Sequence, residues 1–243
     1  MVKSKLRRIS HSSDYYSRLM NTRAVSGEQY QPTDVEHLAN VISHGVWILP
    51  SILALAFMVR MSATSLQKTA TLVYGSALVL LFTTSTIFHM LSYTGRFKKW
   101  RRIFHIGDRA VIYLFIASSY TPWLVLKEFH SWAEEALCIV WIMALLGVSY
   151  AYIYHERFKF LEIMFYLAIG VCPAVVVVDM KDWSGLMELS VGGLMYILGV
   201  AFFKSDGVIP FAHAIWHCFV FVGSFCHFIA ICTYLLGVDI PGT

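Results

Sequence analysis

Seven apolar runs, each long enough to cross about 30 Å of hydrocarbon, fix what this chain can become; they fall at 41–59, 70–92, 108–126, 135–154, 160–178, 185–203 and 211–236. Hydrocarbon offers no partner to a bare peptide group, so a spanning segment must be a helix with its own hydrogen bonds or a strand of a closed barrel. Barrel strands are short and alternate in polarity, whereas these runs are continuous. The expectation is therefore an all-α, seven-transmembrane helix bundle over 36–243, preceded by a basic tail over 1–35. With 58% hydrophobic residues, only 14% charged residues and a mean hydropathy of +0.63, a soluble globule is excluded. Membrane lipids, not nucleic acid, are the expected surroundings.

Basic residues concentrate in cytosolic loops. Fifteen of the 19 lysines and arginines lie on one side, chiefly in the first forty residues and in the 96–109 connection. The other side has only Arg60, Lys68, Lys127 and Lys181. This predicts a cytosolic amino terminus and a lumenal or extracellular carboxyl terminus. No cleavable signal peptide is expected, because the first apolar run starts near residue 41 and is long enough to span. Arg7, Arg8 and Ser10 fit a basophilic kinase site, but short basic-Ser strings are common and a solvated tail is the stronger reading. The five cysteines lie within spans without paired spacing and read as small buried apolar residues. Gly147, Gly170, Gly192, Gly193 and Gly199 read as close helix packing, Tyr120-Thr121-Pro122-Trp123 as a bend or end of the third span. Arg109 is expected to snorkel to the headgroups.

The chemistry gathers on a few polar side chains. His213 and His217 are one helical turn apart near the start of the last run, so they share a face and can chelate one cation. Two satisfied histidines between helices are the bland alternative, but an imidazole in hydrocarbon is costly and points to function. With the orientation above, Ser85 and His89 on the second span and Asp108 on the third reach the same depth near the cytosolic face. Three neutral imidazoles plus one open position make a catalytic-type zinc site, since structural sites close with four protein ligands. Asp108 would offset the dication's charge and move protons, with Ser85 assisting. Glu36, Asn40 and His44 form a polar stripe at the cytosolic end of the first span, functional or merely interfacial. His227, about 15 Å farther along than His217, cannot share the same ion. His11, His37, His130 and His155 need no role.

Ser85-x-x-x-His89, Asp108, Tyr120-Thr121-Pro122-Trp123 and His213-x-x-x-His217, preceded by Glu36, Asn40 and His44, resemble the progestin and adiponectin receptor family, which includes the bacterial hemolysin III-like proteins. The resemblance covers all seven spans. It implies zinc on His89, His213 and His217, with Asp108 and Ser85 near the metal water, and membership of a group described as receptors, some with proposed ceramidase-like hydrolysis. The stretch from Phe202 to His217 is similar to one branch of that family, which implies a Golgi-type endomembrane location and a link to Ras and kinase signalling through cytosolic partners. The short segment after Leu236 is expected to leave little lumenal surface for a large protein hormone. Two functions follow: a signalling receptor with a zinc site and a sphingolipid-like ligand, or a zinc-dependent lipid amide hydrolase.

Overall fold

The computed structural model describes residues 19–24, 28 and 31–239. Most of the basic tail, with Ser10 and His11, therefore lies outside the described residues. Every long element is a helix: α1 (Asp34–Gly45), α2 (Ile48–Met61), α3 (Ser65–Thr94), α4 (Lys98–Leu126), α5 (Ala133–Ile153), α6 (Lys159–Val171), α7 (Leu186–Lys204) and α8 (Ala212–Ala230). A tight 3₁₀ stretch, Cys172–Asp179, extends α6, and a π turn, Ile231–Leu235, extends α8. With α1 and α2 stacked end to end, seven of these segments are long and apolar enough to cross a membrane. The chain is an integral, multi-pass membrane protein. Among the described residues the only β pairing is an isolated bridge, Phe129 to Met180.

The first segment begins at Asp34, well before its apolar run. Thr33 is the reason. Its hydroxyl accepts the Glu36 amide while the Glu36 carboxylate accepts the Thr33 amide, a reciprocal cap that starts a helix among polar residues. Glu36, Asn40 and His44 are the buried face of α1, so what looks polar in a hydropathy window is an interior stripe. The helix breaks at Val46–Trp47, where the Trp47 ring stacks on Phe221 of α8 with centroids 3.5 Å apart. The third span does not stop at the proline itself: α4 runs through Pro122 and ends at Leu126, the expected end of its apolar run. Proline removes one helical hydrogen bond, and here the helix ends a turn later instead.

α4 packs against α3, α5 and α6, while α8 packs against α7 and α1. Glycines set some of these contacts. A Cβ on Gly147 would come within 2.3 Å of the Tyr113 ring, and one on Gly199 within 2.6 Å of Trp216. Gly170 and Gly193 differ from the packing expectation, since neither has any heavy atom near its would-be Cβ. They lie on α6 and α7, which make almost no contact with each other. Only one cysteine matches its expectation: Cys232 is buried, Cys226 is half-buried, and Cys138, Cys172 and Cys218 are exposed, all as free thiols. In a bundle this thin, lying in a span does not mean lying inside the protein, and these thiols coat the apolar outer surface.

Candidate metal centre

Three histidines, one from α3 and two from α8, meet inside the bundle. Possible ligand nitrogens of His89, His213 and His217 all lie within 4.8 Å of one another, and the three ring centroids are 4.7 to 5.2 Å apart. α3 carries His89 inward on the same helix that buries Ser85. α8 starts abruptly after Phe211, whose φ of 58° is a left-handed conformation uncommon for a bulky residue. The Phe211 amide donates to Glu36 Oε1 at 3.4 Å, so the polar stripe of α1 helps position the start of the helix that bears two of the three imidazoles.

The ring nitrogens separate into held and free. Ser43 Oγ lies 2.8 Å from His217 Nδ1, and His44 stacks on the His217 ring with centroids 3.6 Å apart. One nitrogen of His217 is thereby fixed, leaving Nε2 for another partner, the usual arrangement around a metal-ligating imidazole. His89 is 1% exposed, yet neither of its ring nitrogens has a hydrogen-bond partner among the described residues. An imidazole stripped of water without a partner costs free energy, and a cation shared with His213 and His217 removes that cost. The donor set fits a divalent transition metal, for which imidazole is a common ligand.

Ser85 links the remaining polar groups. Its Oγ is 2.8 Å from His44 Nδ1 and it hydrogen-bonds Asp108. His44, noted in the sequence only as part of a stripe, belongs to this layer, as does Ser43, which nothing in its spacing singled out. Asp108, Ser85, His44, His213 and His217 line one end of a cavity of about 680 Å³. Its walls are mostly apolar, and it runs along the bundle as far as Trp123 and His227 near the opposite side. Gly170 on α6 and Gly193 on α7 line it too, in the gap between those helices.

Two neighbours of the site differ from expectation. Arg109 does not reach outward: its side chain is 13% exposed and pairs with both Glu156 and Glu162. A guanidinium with two carboxylates available inside the protein gains more there than from a lipid surface. His155 does have a contact, with its Nε2 2.8 Å from His105 Nδ1, and His105 Nε2 lies 3.2 Å from Glu156 Oε1. Burial pushes the Glu156 carboxyl up, but the hydrogen bond from His105, the Arg109 guanidinium and the Lys159 ammonium outweigh it and hold it at about 2. The left-handed φ of 64° at Glu156 is the backbone cost of placing it there.

Seven apolar helices with a cluster of buried imidazoles at one end define a polytopic membrane protein with a candidate intramembrane metal centre. The chain belongs to the haemolysin-III related family, which matches residues 34–228 and so spans the whole histidine layer. It is 45% identical over 221 residues to the monocyte to macrophage differentiation factor of Homo sapiens, covering 90% of this chain and 93% of that protein, and equally to the Mus musculus protein. The Bacillus subtilis (strain 168) Hemolysin-3 homolog is 32% identical over 209 residues, 84% of this chain and 96% of that protein. The similarity of the Phe202 to His217 stretch to the differentiation factors is thus borne out for the group, without distinguishing its members.

Proposed function

We propose that this chain is a receptor-like signalling protein of endomembranes that holds zinc on His89, His213 and His217 near the cytosolic face and takes a lipid into the cavity behind it. The observation that carries the reading is the convergence of three imidazoles, His89 and His217 buried and His213 half-buried, at one end of a long apolar cavity that His213 and His217 line, with neither nitrogen of His89 partnered among the described residues. Bound zinc supplies a Lewis acid and a way to acidify water. Ser43 holds the His217 ring, and Ser85 ties His44 to Asp108, placing one carboxylate where it offsets the dication's charge. The basic side of the bundle supports a cytosolic amino terminus, and the 96–102 connection offers cations for cytosolic partners such as kinase or Ras pathway proteins. The Golgi location and the signalling role rest on the family resemblance and on the differentiation-factor name of the relatives.

The gap between α6 and α7 supports the lipid. These two helices are not among the closely packed pairs, and Gly170 on one and Gly193 on the other both line the cavity with open space beside them. A sphingolipid-like molecule diffusing in the bilayer can slide in sideways without crossing water. One observation favours the second reading, a zinc-dependent lipid amide hydrolase: Asp108 and Ser85 are in contact at the cavity's metal end, where a carboxylate can act as general base and a hydroxyl can assist.

Purified protein in lipid nanodiscs, incubated with a labelled ceramide, separates these readings. Saturable binding without turnover, with zinc present in wild type and lost in His217→Ala, is the expected result. Turnover that vanishes in Asp108→Ala while zinc is retained selects the hydrolase. A preparation without transition metal contradicts both.

A further inference from the structure

The far half of the cavity contains polar groups that the metal centre does not use. His227 on α8 is 8% exposed, and neither ring nitrogen has a partner among the described residues. The Tyr196 hydroxyl on α7 is also buried and unpartnered, with its ring centroid 5.6 Å from that of His227. Trp123 on α4 is 4% exposed, and its indole N–H has no acceptor among the described residues. All three side chains line the cavity. Leaving three such groups dry and unmatched costs free energy at each one, which is hard to reconcile with a purely structural role.

The seat of the pair is built reciprocally. A Cβ on Gly192 of α7 would come within 2.5 Å of His227 Cδ2, and one on Gly223 of α8 within 2.6 Å of Tyr196 Cε1. Each polar ring thus rests on a glycine of the opposite helix, and any larger residue there would displace it. Along α8, His227 is ten residues from His217, about 15 Å. Every charged residue lining the cavity, namely Arg23, Asp108, Arg109, Lys159, Lys204 and Asp206, lies towards the metal end. A carboxylate or phosphate at the His227 end would find no counter-charge and would be expensive to bury. A neutral oxygen would find donors in Tyr196 O–H, Trp123 N–H and whichever His227 nitrogen is protonated, and an acceptor in the other.

We infer that the His227–Tyr196–Trp123 cluster is a second subsite that recognises a neutral oxygen, a hydroxyl or a carbonyl, at the far end of an apolar ligand whose first polar group sits at the metal centre. The preferred ligand is therefore polar at both ends, with an apolar stretch of about 15 Å between them. This rests on the lipid-cavity reading and adds a chemical class to it.

The test is a matched pair of probes, dodecanoic acid and ω-hydroxydodecanoic acid, titrated against the full chain in nanodiscs by displacement of a fluorescent fatty acid. The expected result is about three- to tenfold tighter binding of the hydroxylated probe, the gain of one or two neutral hydrogen bonds. Tyr196→Phe, which removes only an oxygen, should cancel most of that preference without weakening binding of dodecanoic acid or lowering the unfolding temperature. His227→Phe, checked for unfolding temperature in the same way, should do likewise. Equal binding of the two probes to wild type, or a preference that survives both substitutions, overturns the subsite while leaving the lipid cavity intact. No binding of either probe overturns the cavity reading and the subsite together.

Discussion

His217 is held on two sides, with its Nδ1 2.8 Å from Ser43 Oγ and its ring stacked on His44. That hold fixes which nitrogen is free, so Ser43→Ala should weaken zinc binding by about 10–100-fold, the usual effect of losing such a support. Competition with a chelator of known affinity measures this, against complete loss in His217→Ala. Ser43 was not legible in the sequence, because a serine in a span usually bonds its own backbone or a neighbour, whereas a pair of histidines one turn apart in hydrocarbon has few innocent explanations. Arg109 shows the opposite failure. Its charge suggested headgroups, and only the fold reveals that Glu156 and Glu162, about fifty residues later, are waiting for it. Asp206, in the loop before α8, carries a pH dependence. Burial and the neighbouring Glu36 charge raise its carboxyl from 3.8 to about 7, against the Asn21 hydrogen bond and Lys159. A raised acid contributes stability that is fully present below 3.8 and lost as pH rises through about 7. Asp206→Asn should therefore flatten the fall in unfolding temperature across that window and leave the variant more stable than wild type at pH above about 7, which scanning fluorimetry in nanodiscs resolves.

The existence of all seven spans could be read from the length and continuity of the apolar runs, since a continuous run that long crosses hydrocarbon as a helix rather than as a barrel strand. Their ends could not. The first segment starts seven residues before its apolar run because the Thr33–Glu36 cap and an inward polar stripe extend α1, and hydropathy windows register such residues as loop. Likewise α4 begins at Lys98 within the basic stretch and continues past Pro122. The glycines show what a sequence alone cannot distinguish. Gly147 is pressed against Tyr113 and Gly193 faces open space, yet both are simply glycines in apolar runs. The two should respond in opposite ways. Gly147→Val should cost about 1–3 kcal/mol through overpacking between α4 and α5. Gly193→Phe should leave the unfolding temperature nearly unchanged but obstruct the gap between α6 and α7, slowing uptake of a labelled lipid. Paired unfolding and uptake measurements on the two variants check both halves, and a destabilised Gly193→Phe with normal uptake would remove the lateral route.

Across the whole molecule, the bundle divides its labour along its axis. One end gathers imidazoles, a carboxylate and nearly all the charges of the cavity, while the other offers only neutral polar groups on an apolar wall. A soluble protein could not maintain such an axis so cheaply; here the bilayer covers the exposed apolar surface of the helices, and the interior can be left hollow. In the proposed orientation, which rests on the distribution of basic residues, the metal end faces the cytosol. The depth coincidence of His89, Asp108 and the His213–His217 pair was legible because alternating spans fix which ends lie together. The long cavity was not, since it depends on α6 and α7 failing to close against each other. The central claim is that His89, His213 and His217 hold one zinc ion. X-ray absorption at the zinc edge on purified full-length protein tests it most directly: the account predicts about one zinc per chain with three nitrogen neighbours at about 2.0–2.1 Å and no sulfur, reduced to background in His89→Ala. Protein that binds no zinc, or zinc ringed by sulfur and unaffected by His89→Ala, would contradict it.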